Sequence, residues 1–313
     1  MIGIVVAILA NLTFVGSNAM FRKVEDDVSP AFINMFRTAT GLLTFFIIAL
    51  VLGILPLMFS LPWTLWIIII ISFVFGQVIG DTFYFNAQKE LGTTKTLAVS
   101  MTFPFFTFLL DLIFLERPFD LFLIPSAVLI SFGIIIISRY KIKPEIINNE
   151  LLKDPKERIE NNREKKVLPT IYAIIASLGW AIGLVMIDYG TNEINNILAT
   201  ENLSSIIGNL IRFPFALLLL SIMVKVDTKN SNDLSQRKTW SWLIVASLIG
   251  TSLGIYFFTE AARIAGASVM SLISTANPLF ALPISYALNR ERISIRGFIG
   301  VILTIVGVVL III

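Results

Sequence analysis

The chain has 313 residues, of which 56% are hydrophobic and only 14% charged, and its formal net charge is +3. A soluble protein of this length needs far more charge to cover its surface, and so small an excess of basic residues gives no footprint for nucleic acid. Cysteine and histidine are absent, which removes disulfides, thiolate chemistry, the commonest metal ligand and the side chain that titrates near neutrality.

Apolar runs of about 20 residues, long enough to cross a bilayer, recur along the chain. Ten spans are predicted, near 3–21, 31–53, 63–86, 96–115, 120–138, 168–188, 202–224, 240–262, 267–288 and 295–313. In the first, Ser17-Asn18-Ala19 has the look of a signal cleavage site, but no basic stretch precedes it and the apolar run is longer than a signal core. It is therefore expected to be a mature helix. Five spans precede the charged segment 139–167 and five follow it.

The two halves repeat one another. At a shift of 174 residues, Gly76, Gly80, Ala87, Gly92, Ser100, Pro104 and Phe106 meet Gly250, Gly254, Ala261, Gly266, Ser274, Pro278 and Phe280, and Gly133 meets Gly307. Eight glycines precede residue 139 and four land on glycine at this one shift; chance would give about half a match. The expected fold is all-α and integral to the membrane, with ten transmembrane helices arranged as two inverted five-helix repeats. Residues 1–138 form the first repeat, 139–167 a charged cytoplasmic linker and 168–313 the second repeat.

Orientation follows from the Lys and Arg residues between spans. Connections after the odd-numbered spans hold Arg22, Lys23, Lys89, Lys95, nine basic residues within 139–166, Lys225, Lys229, Arg237, Lys238, Arg290, Arg292 and Arg296. The opposite side holds only Arg117 and Arg263. Odd-numbered loops are thus expected in the cytoplasm and both termini outside the cell membrane. An odd number of helices per repeat then makes the repeats point in opposite directions, a common construction of secondary transporters. The linker carries nine basic and six acidic residues and reads as a solvated, partly helical segment next to anionic lipid.

Several polar residues fall within the spans, where each needs a cavity or a partner. Gln77, Asp81, Tyr84 and Gln88 sit at i, i+4, i+7 and i+11, on one face of the third span. Asp81 lies only about 7 Å from the cytoplasmic end of that span, so it either lines the pathway or pairs with a neighbour. In the eighth span Ser252, Tyr256, Glu260 and Arg263 form a comparable stripe; the last two read as a surface ion pair, leaving Tyr256 as the candidate. Asn277 precedes Pro278, which frees a backbone carbonyl in mid-membrane, and Trp180 sits at the middle of its span rather than at an interface. Asn34-x-x-Arg37 recurs as Asn209-x-x-Arg212, which either holds neighbouring helix ends or binds an anionic group of a substrate. The pairs Gly76-xxx-Gly80 and Gly250-xxx-Gly254 allow close helix contact, either as plain packing or as a place where the third and eighth spans meet and rock.

Enzyme signatures are missing. The sequence has no HExxH, no cysteine nucleophile, no G-x-S-x-G and no phosphate-binding loop. No cofactor is expected.

Taken together, these features resemble the drug/metabolite transporter superfamily, and within it the EamA-type members with two five-helix repeats. The resemblance rests on Gly16-Ser17-Asn18, Arg37 and Arg212, Ala87…Gly92…Pro104 and Ala261…Gly266…Pro278, Glu116-Arg117 and Glu291-Arg292, and Gly133 and Gly307. It covers both repeats and omits 139–167. It implies a carrier with a central cavity that moves small metabolites such as amino acids, sugars or drug-like molecules, often outward. Many relatives have Trp where this chain has Val15, and the small multidrug relatives carry a glutamate in the first helix that is missing here. Asp81 is then the comparable candidate for coupling.

The cavity wall is assigned to Gln77, Asp81, Tyr84, Trp180, Tyr256 and Asn277, with Asn18 at the cytoplasmic mouth. The expected partners are a small-molecule substrate, membrane lipids and, where transport is coupled, a proton or ion. A lipid or lipid-linked-sugar flippase is the alternative.

Overall fold

Ser29 and Pro30 show how locally the helix starts are written. The Ser29 hydroxyl accepts a hydrogen bond from the Phe32 amide (3.2 Å), and Pro30 occupies the first helical position, where its missing N–H costs nothing. The computed structural model describes residues 1–24, 27–91, 96, 99, 100, 102–115, 121–139, 155–226 and 236–277, with isolated positions from 280 to 310. No strand occurs among these residues.

In chain order the helices are α1 (Ile2–Phe21), α2 (Pro30–Val51), α3 (Trp63–Leu91), α4 (Phe103–Phe114), α5 (Leu123–Arg139), α6 (Pro155–Leu198), α7 (Leu203–Val226), α8 (Arg237–Ala265) and α9 (Ala267–Ser274). Six of them contain a stretch long and apolar enough to cross a membrane: α1, α2, α3, α6, α7 and α8. Large apolar side chains such as Leu43, Phe46, Ile47, Leu50 and Leu218 stand exposed on the outside, as an oily solvent requires. The protein is a multi-pass membrane protein. The predicted tenth span, 295–313, falls mostly outside the described residues.

The sixth span is much longer than expected. Expected at 168–188, it runs on to Leu198, and in the other direction it continues into the linker as far as Pro155. A turn of 3₁₀ helix (Leu55–Ser60) follows α2.

Both α3 and α8 contain a π-helical segment, at Val74–Asp81 and Leu248–Leu253. The two segments begin 174 residues apart, at the same place in each repeat of the sequence pattern. π-helical turns are rare and often lie at functional sites.

The small-residue stripes face first helices, not one another. Gly76 and Gly80 of α3 pack on Gly183 and Gly179 of α6, and Gly250 and Gly254 of α8 pack on Ser17 and Thr13 of α1. Each stripe thus meets the first helix of the opposite half: of the two readings the spacing allowed, close helix packing is what the structure shows, and the glycines of α3 and α8 do not meet one another. Both pairs run antiparallel, since Ser72 neighbours Gly183 while Gly80 neighbours Gly179, and Gly3 neighbours Ala265 while Ser17 neighbours Gly250. Helices α2 and α7 also cross between halves, where Phe45 and Phe213 meet edge to face. The halves interlock.

Candidate functional site

The α3–α6 contact sets the site. A Cβ on Gly183 would lie 2.6 Å from the Ser72 carbonyl oxygen and 2.8 Å from the Gly76 Cα, so only glycine allows this approach. At Gly80 the missing side chain leaves room for the Trp180 ring, whose Cδ1 would sit 2.5 Å from a Cβ there. Trp180 Nε1 can therefore donate to Asp81 Oδ1 at 2.8 Å.

Asp81 Oδ2 lies 3.3 Å from Arg37 Nη1, and both side chains are buried. Arg37 Nε donates to Thr251 Oγ1 at 2.9 Å, which ties α2 to the π-helical segment of α8. A carboxylate, a guanidinium, an indole and a hydroxyl from four helices thus form one buried network. Buried charges persist only when paired and hydrogen-bonded in this way.

Arg37, Asp81 and Trp180 of this network line a central cavity of about 110 Å³, to which α1, α2, α3, α4, α6, α7 and α8 all contribute, together with Ser274 of α9 and Asn277 just beyond it. Its walls are largely apolar: Phe14, Phe73, Phe103, Trp180, Ile255 and Phe258. Its polar members include Asn11, Gln77, Arg37, Asp81, Arg212, Ser274 and Asn277. Gln77 Nε2 donates to Thr38 Oγ1 at 2.8 Å, and its backbone oxygen accepts from Asn34 Nδ2 at 2.9 Å.

Four of the residues expected on the wall, Gln77, Asp81, Trp180 and Asn277, are brought together here. The other two, Tyr84 and Tyr256, and Asn18, expected at the cytoplasmic mouth, lie outside the lining. Tyr84 is buried behind Trp180, with ring centroids 5.0 Å apart. Tyr256 packs against Phe257 and the apolar core. Asn18 is buried a turn beyond Phe14 on α1. The reason Gln77 and Tyr84 part company is the π-helical segment: with more residues per turn, the 3.6-residue spacing does not hold across Val74–Asp81.

Glu260 and Arg263 are not a surface pair. The Glu260 carboxylate is buried, accepts from Ser205 Oγ at 2.6 Å, and is held by Arg263 through Nε (2.9 Å) and Nη2 (2.6 Å). The expectation failed because the sequence does not reveal that α7 covers this end of α8.

Arg37 and Arg212 are the residues whose place in the site the sequence left between two readings. Both line the cavity. Asn11 and Phe14 were not singled out at all, and the signal for them is only that α1 faces the glycine stripe of α8.

Comparisons with known proteins accord with this architecture. A model of the EamA-like transporter family matches residues 1–139 and 168–313. A protein of Archaeoglobus fulgidus described as an uncharacterized transporter is 24% identical over 313 residues, covering 99% of this chain and 98% of its own. An uncharacterized transporter of Synechocystis sp. is 27% identical over 143 residues, 45% of this chain and 40% of its own. One solved crystal structure superposes with a TM-score of 0.73 at 14% identity, covering 99% of this chain and 96% of the other, a likeness of fold.

Proposed function

Because the chain belongs to the EamA-like transporter family, we propose that it is a secondary transporter that carries a small metabolite through this cavity by alternating access, in the outward direction. In this reading ten helices form two inverted repeats, residues 1–138 and 168–313, joined by a cytoplasmic linker, with both termini outside. The observation that carries the reading is the cavity itself, where helices from both sides of the linker converge around ionisable and aromatic side chains. Inverted-repeat carriers place their sites at such an interface, and irregular backbone in a membrane is expected where it lines a cavity.

The π-helical segments of α3 and α8 are the elements best suited to move, since each can shift its extra turn without breaking its helix. The contacts of α3 with α6 and of α8 with α1 run through these same segments, so a shift there moves each helix against its partner from the other half.

Ligand-dependent thermal stability of the purified protein tests this function, using amino acids, sugars, nucleosides and cationic drugs. A ligand at 100 times its dissociation constant adds about 2.7 kcal/mol of stability. We expect a stabilising ligand whose effect is lost in Gln77→Ala or Asn277→Ala and which reconstituted protein carries across vesicles. Stabilisation by lipid alone, with no soluble ligand, would move the function to a lipid or lipid-linked-sugar flippase.

A further inference from the structure

The two cavity arginines are not equivalent. Arg37 has a carboxylate, Asp81, at 3.3 Å. Arg212 has none within ion-pair distance among the described residues. Its Nε (2.9 Å) and Nη2 donate to Asn209 Oδ1, Nη2 also reaches Thr259 Oγ1 at 3.1 Å, and Nη1 has no acceptor among the described residues. The Phe73 ring lies 4.7 Å beneath the guanidinium. Arg212 is 4% exposed and lines the cavity.

The repeat explains the difference. At the shift of 174 that relates the halves, Asp81 corresponds to Ile255. Ile255 also lines the cavity, one turn before the Thr259 that touches Arg212. The Asn-x-x-Arg pattern recurs at a shift of 175, one position off, so the second half carries an arginine in the corresponding helix and a hydrocarbon where the first half has its counter-ion. Among the described residues the charged groups on the lining are Arg37, Asp81 and Arg212, which leaves one positive charge in an apolar enclosure. A buried cation that is hydrogen-bonded only to neutral groups is costly, and an incoming anion removes that cost.

We propose that Arg212 is the receptor for an oxyanion on the substrate, and that the substrate is a small organic anion, a carboxylate or a phosphate ester, with an apolar body seated among the aromatic walls. The proposal rests on the transport reading above. The Nη1 edge receives the oxyanion while Asn209 and Thr259 hold the guanidinium in place. A planar guanidinium suits both oxyanions because it presents paired donors.

The test uses the purified full-length chain with phenylacetate and phenyl phosphate as probes, and phenylacetamide as the neutral counterpart. The expected result is that at least one anion raises the melting temperature while phenylacetamide does not; whichever anion is stronger assigns carboxylate or phosphate. Arg212→Gln should weaken that binding roughly ten- to a hundredfold, the range for a hydrogen bond to a charged group. Ile255→Glu keeps the arginine and supplies the missing counter-ion, so it should weaken anion binding similarly, and more than Ile255→Gln, which has the same length without the charge. If Arg212→Gln does not fold, the Ile255 pair and the acid-to-amide comparison decide alone.

Equal stabilisation by acid and amide, no binding of either anion, or unchanged anion affinity in Ile255→Glu overturns the proposal. Neutral or cationic ligands carried by reconstituted protein, with both anions inert, would overturn the oxyanion assignment and leave transport standing. Anion binding that Arg212→Gln abolishes, with no ligand carried across vesicles, would keep the site and sink the transport reading.

Discussion

Asp81 is the residue on which the site's electrostatics turn. It joins Arg37 and Trp180 in one buried network, so removing its charge leaves Arg37 without a counter-ion. Breaking one side of a buried pair costs about 3–5 kcal/mol, whereas removing both partners costs far less. Asp81→Asn should therefore lower the melting temperature strongly, and Arg37→Gln combined with Asp81→Asn should recover much of the loss. Thermal unfolding of Asp81→Asn, of Arg37→Gln alone and of the double variant checks this. An additive loss in the double variant would show that the two groups do not act as a pair. Asp81 was legible from the sequence because a carboxylate in an apolar span needs a reason to be there. Its partner was not, since Arg37 lies 44 positions away on another helix.

At the scale of elements, the contact between α3 and α6 carries the geometry. A methyl at Gly183 meets backbone atoms that cannot turn aside, the Ser72 oxygen and the Gly76 Cα. Gly183→Ala should cost about 1–3 kcal/mol, the range for overpacking a close contact. Gly16 on α1 is the matched control, because nothing stands within 4 Å of a Cβ there. Gly16→Ala should be neutral or stabilising by up to about 1 kcal/mol, the helix-interior preference for alanine. Equal melting temperatures for the two variants would argue against the close approach. The glycine pairs were visible in the sequence as a spacing, but a spacing says only that something comes near. That the visitor is the first helix of the other half follows from how the halves interlock.

At the scale of the whole molecule, the strong bias of Lys and Arg toward one set of loops predicts a single orientation. The natural chain has no cysteine, so single-cysteine variants report topology without background. Ser60→Cys, in an exposed turn between α2 and α3, should react with an impermeant thiol reagent added outside intact cells. Asn148→Cys, in the linker, should react only after the membrane is opened. Labelling of both from the outside would reject the proposed orientation.

Membrane class and family were legible in the sequence alone. They rest on composition, on apolar runs of bilayer length and on residues recurring at one shift, and none of these needs a contact to be known. The tertiary structure decided which polar residues share a cavity, that Glu260 is buried and held by Arg263, and that Arg212, among the described residues, has no carboxylate such as Arg37 has. Those facts are pairings across helices far apart in the chain, and a buried charge takes its meaning from the neighbour that folding brings to it.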